Sequence, residues 1–211
     1  MKGKFSRELQ GRGSVLGIKF KPALFYPFWQ APVSALTDRT IPLSQAFGEA
    51  GERLEKDFHA RESQEEMCLL LDNFLKERAS GDDAQAQEIS GFIALILADP
   101  EIRRVDDLAR RTGCSKRSLQ RLFDKYVGVG PKRIIQRYRL HEVLERLQEQ
   151  RNAAGRTGYK KEREENYKTN PDINWARLAL ELGYFDQAHV INDFKKFTGL
   201  TPGEYAERIS P

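Results

Sequence analysis

The sequence predicts a mostly α-helical protein whose C-terminal half repeats one two-helix unit. Three observations predict this. Apolar residues recur at helical spacing in several stretches after residue 43. A set of residues near 105–131 returns 70–71 positions later. Only one stretch, Val15 to Lys21, reads as a strand.

With 211 residues, 39% hydrophobic and including 12 Phe, 7 Tyr and 2 Trp, the chain has material for a folded core. Its longest apolar run, Phe92 to Ala98, falls far short of the ~18–20 residues a membrane span needs. No apolar region follows the lysines of MKGKFSRELQ, so no signal peptide is expected and the chain is read as cytoplasmic. Cys68 and Cys114 match no CxxC spacing, and His59, His141 and His189 are scattered, so neither a disulfide scaffold nor a metal site is expected. HExxH, GxSxG and P-loop patterns are absent, and no cofactor is expected.

The elements follow in order. Val15–Lys21 precedes an aromatic stretch holding Phe25, Tyr26, Phe28 and Trp29, which reads either as packing or as the wall of a pocket. LSQAFGEAGERLEKDFHA and SQEEMCLLLDNFLKERA, within 43–80, read as two helices. In the second, Met67, Leu70, Leu71, Phe74 and Leu75 form an apolar stripe, either core or a dimer face.

Leu108, Ala109 and Gly113 recur as Leu178, Ala179 and Gly183; Phe123, Lys125, Gly128 and Pro131 recur as Phe194, Lys196, Gly199 and Pro202. Each copy has the order of a helix-turn-helix, over about 105–127 and 174–198. Gly113 and Gly183 fall just past a first helix, where a left-handed residue is favoured. Ser115 and Asp186 are suitable N-caps for the second helices. Leu119, Leu122, Phe123 and Tyr126 in one copy, and Val190, Phe194 and Phe197 in the other, supply the buried stripe. Between the copies Pro131 opens a linker helix of about 131–150, followed by a polar insertion over about 151–172 expected to be a surface loop.

Charge divides unevenly. Residues 1–100 hold 12 Lys+Arg against 15 Asp+Glu, and residues 101–211 hold 23 against 16, giving net −3 and net +7. A basic half suggests a polyanion partner. The exposed residues of the first copy's second helix are Lys116, Arg117, Ser118, Gln120 and Arg121. Arg and Gln present bidentate patterns that fit guanine and adenine edges in the major groove. The second copy offers Gln187, Ala188, His189, Ile191, Asn192 and Asp193, a less basic set suited to positioning. Backbone phosphates would be met by Ser115 and Lys116 at a helix start, by Lys195 and Lys196, and by Lys132 and Arg133 on the linker's first turn.

These residues name a family. Residues from about 90 to 210 resemble the DNA-binding domain of AraC/XylS-type transcription regulators, most closely over LALELGYFDQAHVINDFKKFTGLTPGEY. The resemblance implies seven helices, with two recognition helices entering adjacent major grooves about one turn (~34 Å) apart. It implies base contacts from Arg117, Gln120 and Arg121 in the first unit and from Gln187, Ala188, His189 and Asn192 in the second; the family often has arginine at the Asn192 position. Residues 13–50 resemble the closing part of the N-terminal domain of one AraC-type subgroup, where a β-rich, cupin-like sensor precedes it. A barrel needs many strands, so a shortened domain is expected, with a short strand and helices left from an α+β sensor. The implied division is an N-terminal sensor or dimerisation region, 1–82, and a DNA-binding domain, 83–211.

Double-stranded DNA is the expected partner. RNA polymerase and a second copy of the chain, held through the N-terminal helices, are further candidates, and no membrane or named effector is expected. Such DNA-binding modules also occur fused to DNA-alkyl repair domains, but Cys68 lies in an apolar helix without a base or metal cluster nearby, so no enzyme is expected. The alternative is a relative that does not bind DNA and antagonises another regulator by pairing with it.

Overall fold

A computed structural model describes residues 8, 10, 15–79, 81, 83–157, 179–180, 183–184 and 186–208. The chain divides chiefly into two compact units, Arg7–Leu95 with Thr112–Pro131 and Ile96–Arg111 with Lys132–Pro211.

In the first unit the expected strand over Val15–Lys21 is not formed. A strand requires a ladder partner, and no strand exists among the described residues to supply one. Instead, the Phe20 ring packs 5.0 Å from Phe25 and 5.2 Å from Phe28, at the start of a short helix α1 (Tyr26–Trp29). A 3-10 turn, Val33–Leu36, follows. The first of the two expected N-terminal helices is broken at Gly48 (φ +59°) into α2 (Leu43–Phe47) and α3 (Glu49–His59). The second is α4 (Gln64–Arg78), capped by the Ser63 hydroxyl accepting from the Glu66 N–H at 3.1 Å. Phe74 of α4 is buried edge-on to Phe47, 5.2 Å away.

The N-terminal segment docks on α7 (Lys116–Tyr126) within the same unit. Tyr26 packs on Tyr126 with ring centroids 4.4 Å apart. The Tyr126 hydroxyl donates to Gln85 of α5 (Ala84–Ala98) at 2.9 Å. Lys125 donates to the Tyr126 hydroxyl at 3.2 Å and lies 4.8 Å from both tyrosine ring centres; the hydrogen bonds to Tyr126 and Tyr26 raise the ammonium above its ordinary value. Thr37 donates to the Gly128 carbonyl at 2.6 Å, just past the end of α7.

The second unit holds nearly all of α6 (Val105–Thr112) and α8 (Pro131–Thr157). Arg139 of α8 is 1% exposed. Its guanidinium donates to the carbonyls of Ile96 and Asp99 at 2.7 Å each and to that of Ile102 at 3.3 Å, and it pairs with Glu142. Leu140, Ala179, Tyr184, Val190 and Phe194 form a buried cluster flanked by Leu144, Phe197 and Tyr205. Helix α8 runs seven residues beyond the expected end at 150, so residues 151–157 are helix and not loop. Ala153 and Ala154 favour continuation, and one interior glycine, Gly155, costs only ~1 kcal/mol. The rest of the insertion, 158–172, lies outside the described residues.

Candidate nucleic-acid interface

The first unit of the repeat is assembled from local rules. Asp107, in the first turn of α6, accepts from the N–H groups of Arg104 (2.8 Å) and Arg103 (3.1 Å) and pairs with Arg110. This caps the helix start as a Glu would in a capping box. Burial opposes ionisation of Asp107, but the Arg104 and Arg103 amides and the Arg110 side chain outweigh it and hold the carboxyl below its usual value. An Asp107→Ala variant should lose about 1 kcal/mol of stability in urea at neutral pH. The depressed value places this contribution above the carboxyl's folded-state titration, so the difference from the parent should vanish as pH falls through it. A difference unchanged in acid would contradict the capping role.

The chain then turns at Gly113 (φ +70°), and Ser115 caps α7 by accepting from the Ser118 N–H at 3.1 Å. Leu119, Leu122, Phe123 and Tyr126 are buried, as the spacing predicts. Lys116, Arg117, Gln120 and Arg121 are exposed. The side chains of Arg117 and Arg121 make no hydrogen bond or ion pair with any described residue. Gln120 differs: its Nε2 donates to the Asp124 carboxylate, at 3.0 and 3.1 Å. Lys132 and Arg133, on the first turn of α8, are exposed. Cys114 is half-buried, as a small packed residue would be.

Of the second unit's first helix, only Ala179 and Leu180 are described; both are helical, and Ala179 is fully buried. Gly183 is left-handed (φ +74°). Asp186 caps α9 (Gln187–Thr198), its carboxylate accepting from the His189 N–H at 2.8 Å and facing His189 Nδ1 at 2.9 Å. The bonds to the His189 backbone and ring hold Asp186 below its usual value. Ala188, His189 and Asn192 are exposed and Gln187 is half-buried. Lys195 is exposed, and Lys196 lies 3.6 Å from Asp193. Tyr184, unnoticed in the sequence, is buried beside this helix; burial, with the Asp193 carboxylate near it, raises its hydroxyl well above the ordinary value. Thr201 and Glu204 form the reciprocal cap of α10 (Pro202–Arg208), with Glu204 accepting from the Thr201 N–H at 2.6 Å.

In the first unit Phe28, Trp29, Gln30, Ala46, Phe47, Glu77 and Arg78 line a cavity of about 420 Å³. Phe25 stacks on Trp29, and Tyr26 packs on Tyr126. Arg78 lies 3.8 Å over the Phe74 ring. No group of metal-ligating side chains occurs among the described residues. Nor is any described helix long and apolar enough to cross a membrane.

A family described as a helix-turn-helix domain matches residues 108–164, which cover the Gly113 turn, α7 and α8. A second, described as bacterial regulatory helix-turn-helix proteins, AraC family, matches residues 164–206, which contain the Gly183 turn and α9. The chain carries an AraC-family helix-turn-helix domain. This makes it a DNA-binding transcriptional regulator, with DNA as its partner. The AraC family is one of regulatory proteins. A domain of unknown function, DUF6597, matches residues 1–42, ahead of the AraC-type half. No curated protein and no solved structure matches the chain.

Proposed function

We propose that this regulator is sequence-specific and reads two adjacent major-groove segments, one with α7 and one with α9. Arg117, Gln120 and Arg121 would meet base edges from α7, and Gln187, His189 and Asn192 from α9. Ser115, Lys116, Lys132, Lys195 and Lys196 would hold phosphates. The observation that carries this reading is the face of α7: Arg117 and Arg121 stand exposed, their side chains without a partner among the described residues, opposite a buried apolar stripe. An unengaged guanidinium presents the donor fork that guanine O6 and N7 accept, at ~1–3 kcal/mol of discrimination per good pair. The α9 face is less basic, with Asp193 drawing Lys196 toward itself, which suits a helix that positions more than it discriminates.

Selection of bound fragments from sheared genomic DNA at physiological salt tests the reading. The expected result is one motif spanning two neighbouring helical turns. Arg121→Ala should weaken binding to the selected motif by roughly 5- to 100-fold and leave random DNA nearly unaffected. Lys195→Ala should weaken both alike and flatten the salt dependence. Equal losses on both DNAs for Arg121→Ala would remove it from the base contacts. An absence of specific, salt-sensitive binding by the parent would overturn the whole reading and leave pairing with another regulator.

A further inference from the structure

The Gln120 side chain is not free on the α7 surface. Its amide is folded along the helix toward Asp124, one turn on, where i and i+4 residues meet. It also lies against Gly130: a Cβ there would stand 2.7 Å from Gln120 Nε2 and 2.8 Å from Oε1. An ionised carboxylate can only accept hydrogen bonds. Asp124 therefore decides which end of the amide faces it: Nε2 lies almost equally far from both carboxylate oxygens, as one N–H shared between them would place it, which leaves the second N–H and Oε1 for another partner. Without Asp124 the amide could turn over at little cost and present its donor and acceptor in either order.

We propose that Asp124 is a specificity-determining positioning residue, which holds Gln120 as a fixed donor–acceptor pair and makes it a reader of adenine. This rests on the reading of α7 as a base-contacting helix. Adenine offers an N6 donor and an N7 acceptor, complementary to the Oε1 and the remaining N–H of Gln120. Guanine offers two acceptors, O6 and N7, against which the fixed Oε1 is left facing another oxygen. Asp124 also sets a negative charge on the face that meets a polyanion, so its removal strengthens binding to any DNA while blurring the preference. Opposite signs for affinity and discrimination are what a purely structural role would not produce.

The experiment is selection from a random duplex library with the full chain, comparing the parent with Q120A, D124A, D124N, G130A and R121A. The parent should prefer adenine at one position, and Q120A should erase that preference. D124A and D124N should both reduce it roughly ten-fold at that position only, and both should gain affinity for random DNA. G130A, which displaces the Gln120 amide but keeps the Asp124 charge, should blur the adenine preference without the gain on random DNA. R121A should change a different position. Unfolding curves of D124N, which keeps the size and shape of Asp124, verify the fold. An unchanged adenine preference in D124A and D124N, or a guanine read at the Gln120 position, overturns the proposal while leaving the α7 reading intact if R121A still alters its own position. If R121A alters no position, the α7 reading fails and the proposal with it.

Discussion

Replacing Arg139 with methionine should lower the unfolding free energy by about 3–5 kcal/mol, the range seen when one partner of a buried charged network is removed. The methionine stem retains most of the buried volume, so the loss isolates the guanidinium. Three carbonyls, of Ile96, Asp99 and Ile102, accept from that group where α5 ends and the chain turns toward α6; the Asp99 carbonyl also accepts from the Ile102 N–H at 3.2 Å, so loss of the guanidinium bears most on Ile96 and Ile102. Buried carbonyls left without donors cost about 1–3 kcal/mol each before relaxation. Glu142→Gln should cost much less, because Glu142 is 29% exposed and water can replace the pairing. Urea denaturation of the two variants makes the comparison. A loss below about 1 kcal/mol for Arg139→Met would mean that water reaches those carbonyls.

Gly128→Ala is the second large effect, at about 2–4 kcal/mol. Gly128 has φ +85°, which costs an alanine about 1–2 kcal/mol by itself. Its new methyl would also stand 2.9 Å from the Val33 carbonyl oxygen and 3.2 Å from Thr37 Oγ1, both of the segment docked on α7. Gly113→Ala is the control. Its φ is +70° but nothing lies within 4 Å, so only the backbone cost should remain. Equal losses for the two variants would show that contact with the 33–37 segment contributes nothing. Hydrogen exchange should find that the Gly128 variant loosens amides near Thr37 and the Gly113 variant does not.

Local rules made much of the DNA-binding half legible in the sequence. Ser115 and Asp186 cap the helices where the spacing placed them, and Gly113, Gly183 and Gly199 are left-handed at the helix ends. The buried stripes of α7 and α9 coincide with the predicted positions, apart from Phe197, which is only partly covered. What depends on distant partners was hidden. Arg139 reads in sequence as one more cation on a basic helix, since nothing nearby announces three carbonyls about 40 residues away. The Val15–Lys21 segment alternates like a strand, but its pairing depends on strands the chain does not form among its described residues. The Gln120–Asp124 pair was within reach, because four-residue spacing on a helix is a contact rule.

The docking of Tyr26 and Thr37 onto the end of α7 bears on how the protein is dissected in the laboratory. A fragment begun at residue 83 keeps every residue proposed to touch DNA. It also uncovers the Tyr126 ring, withdraws the Thr37 hydroxyl from the Gly128 carbonyl and leaves Lys125 without the Tyr26 ring. Weak binding by such a fragment would therefore report a damaged reading head as readily as the loss of a separate function of residues 1–82. Minimal pieces of this regulator should retain the residues from Phe20 to Thr37, and its DNA binding should require more of the chain than its helix-turn-helix homology covers.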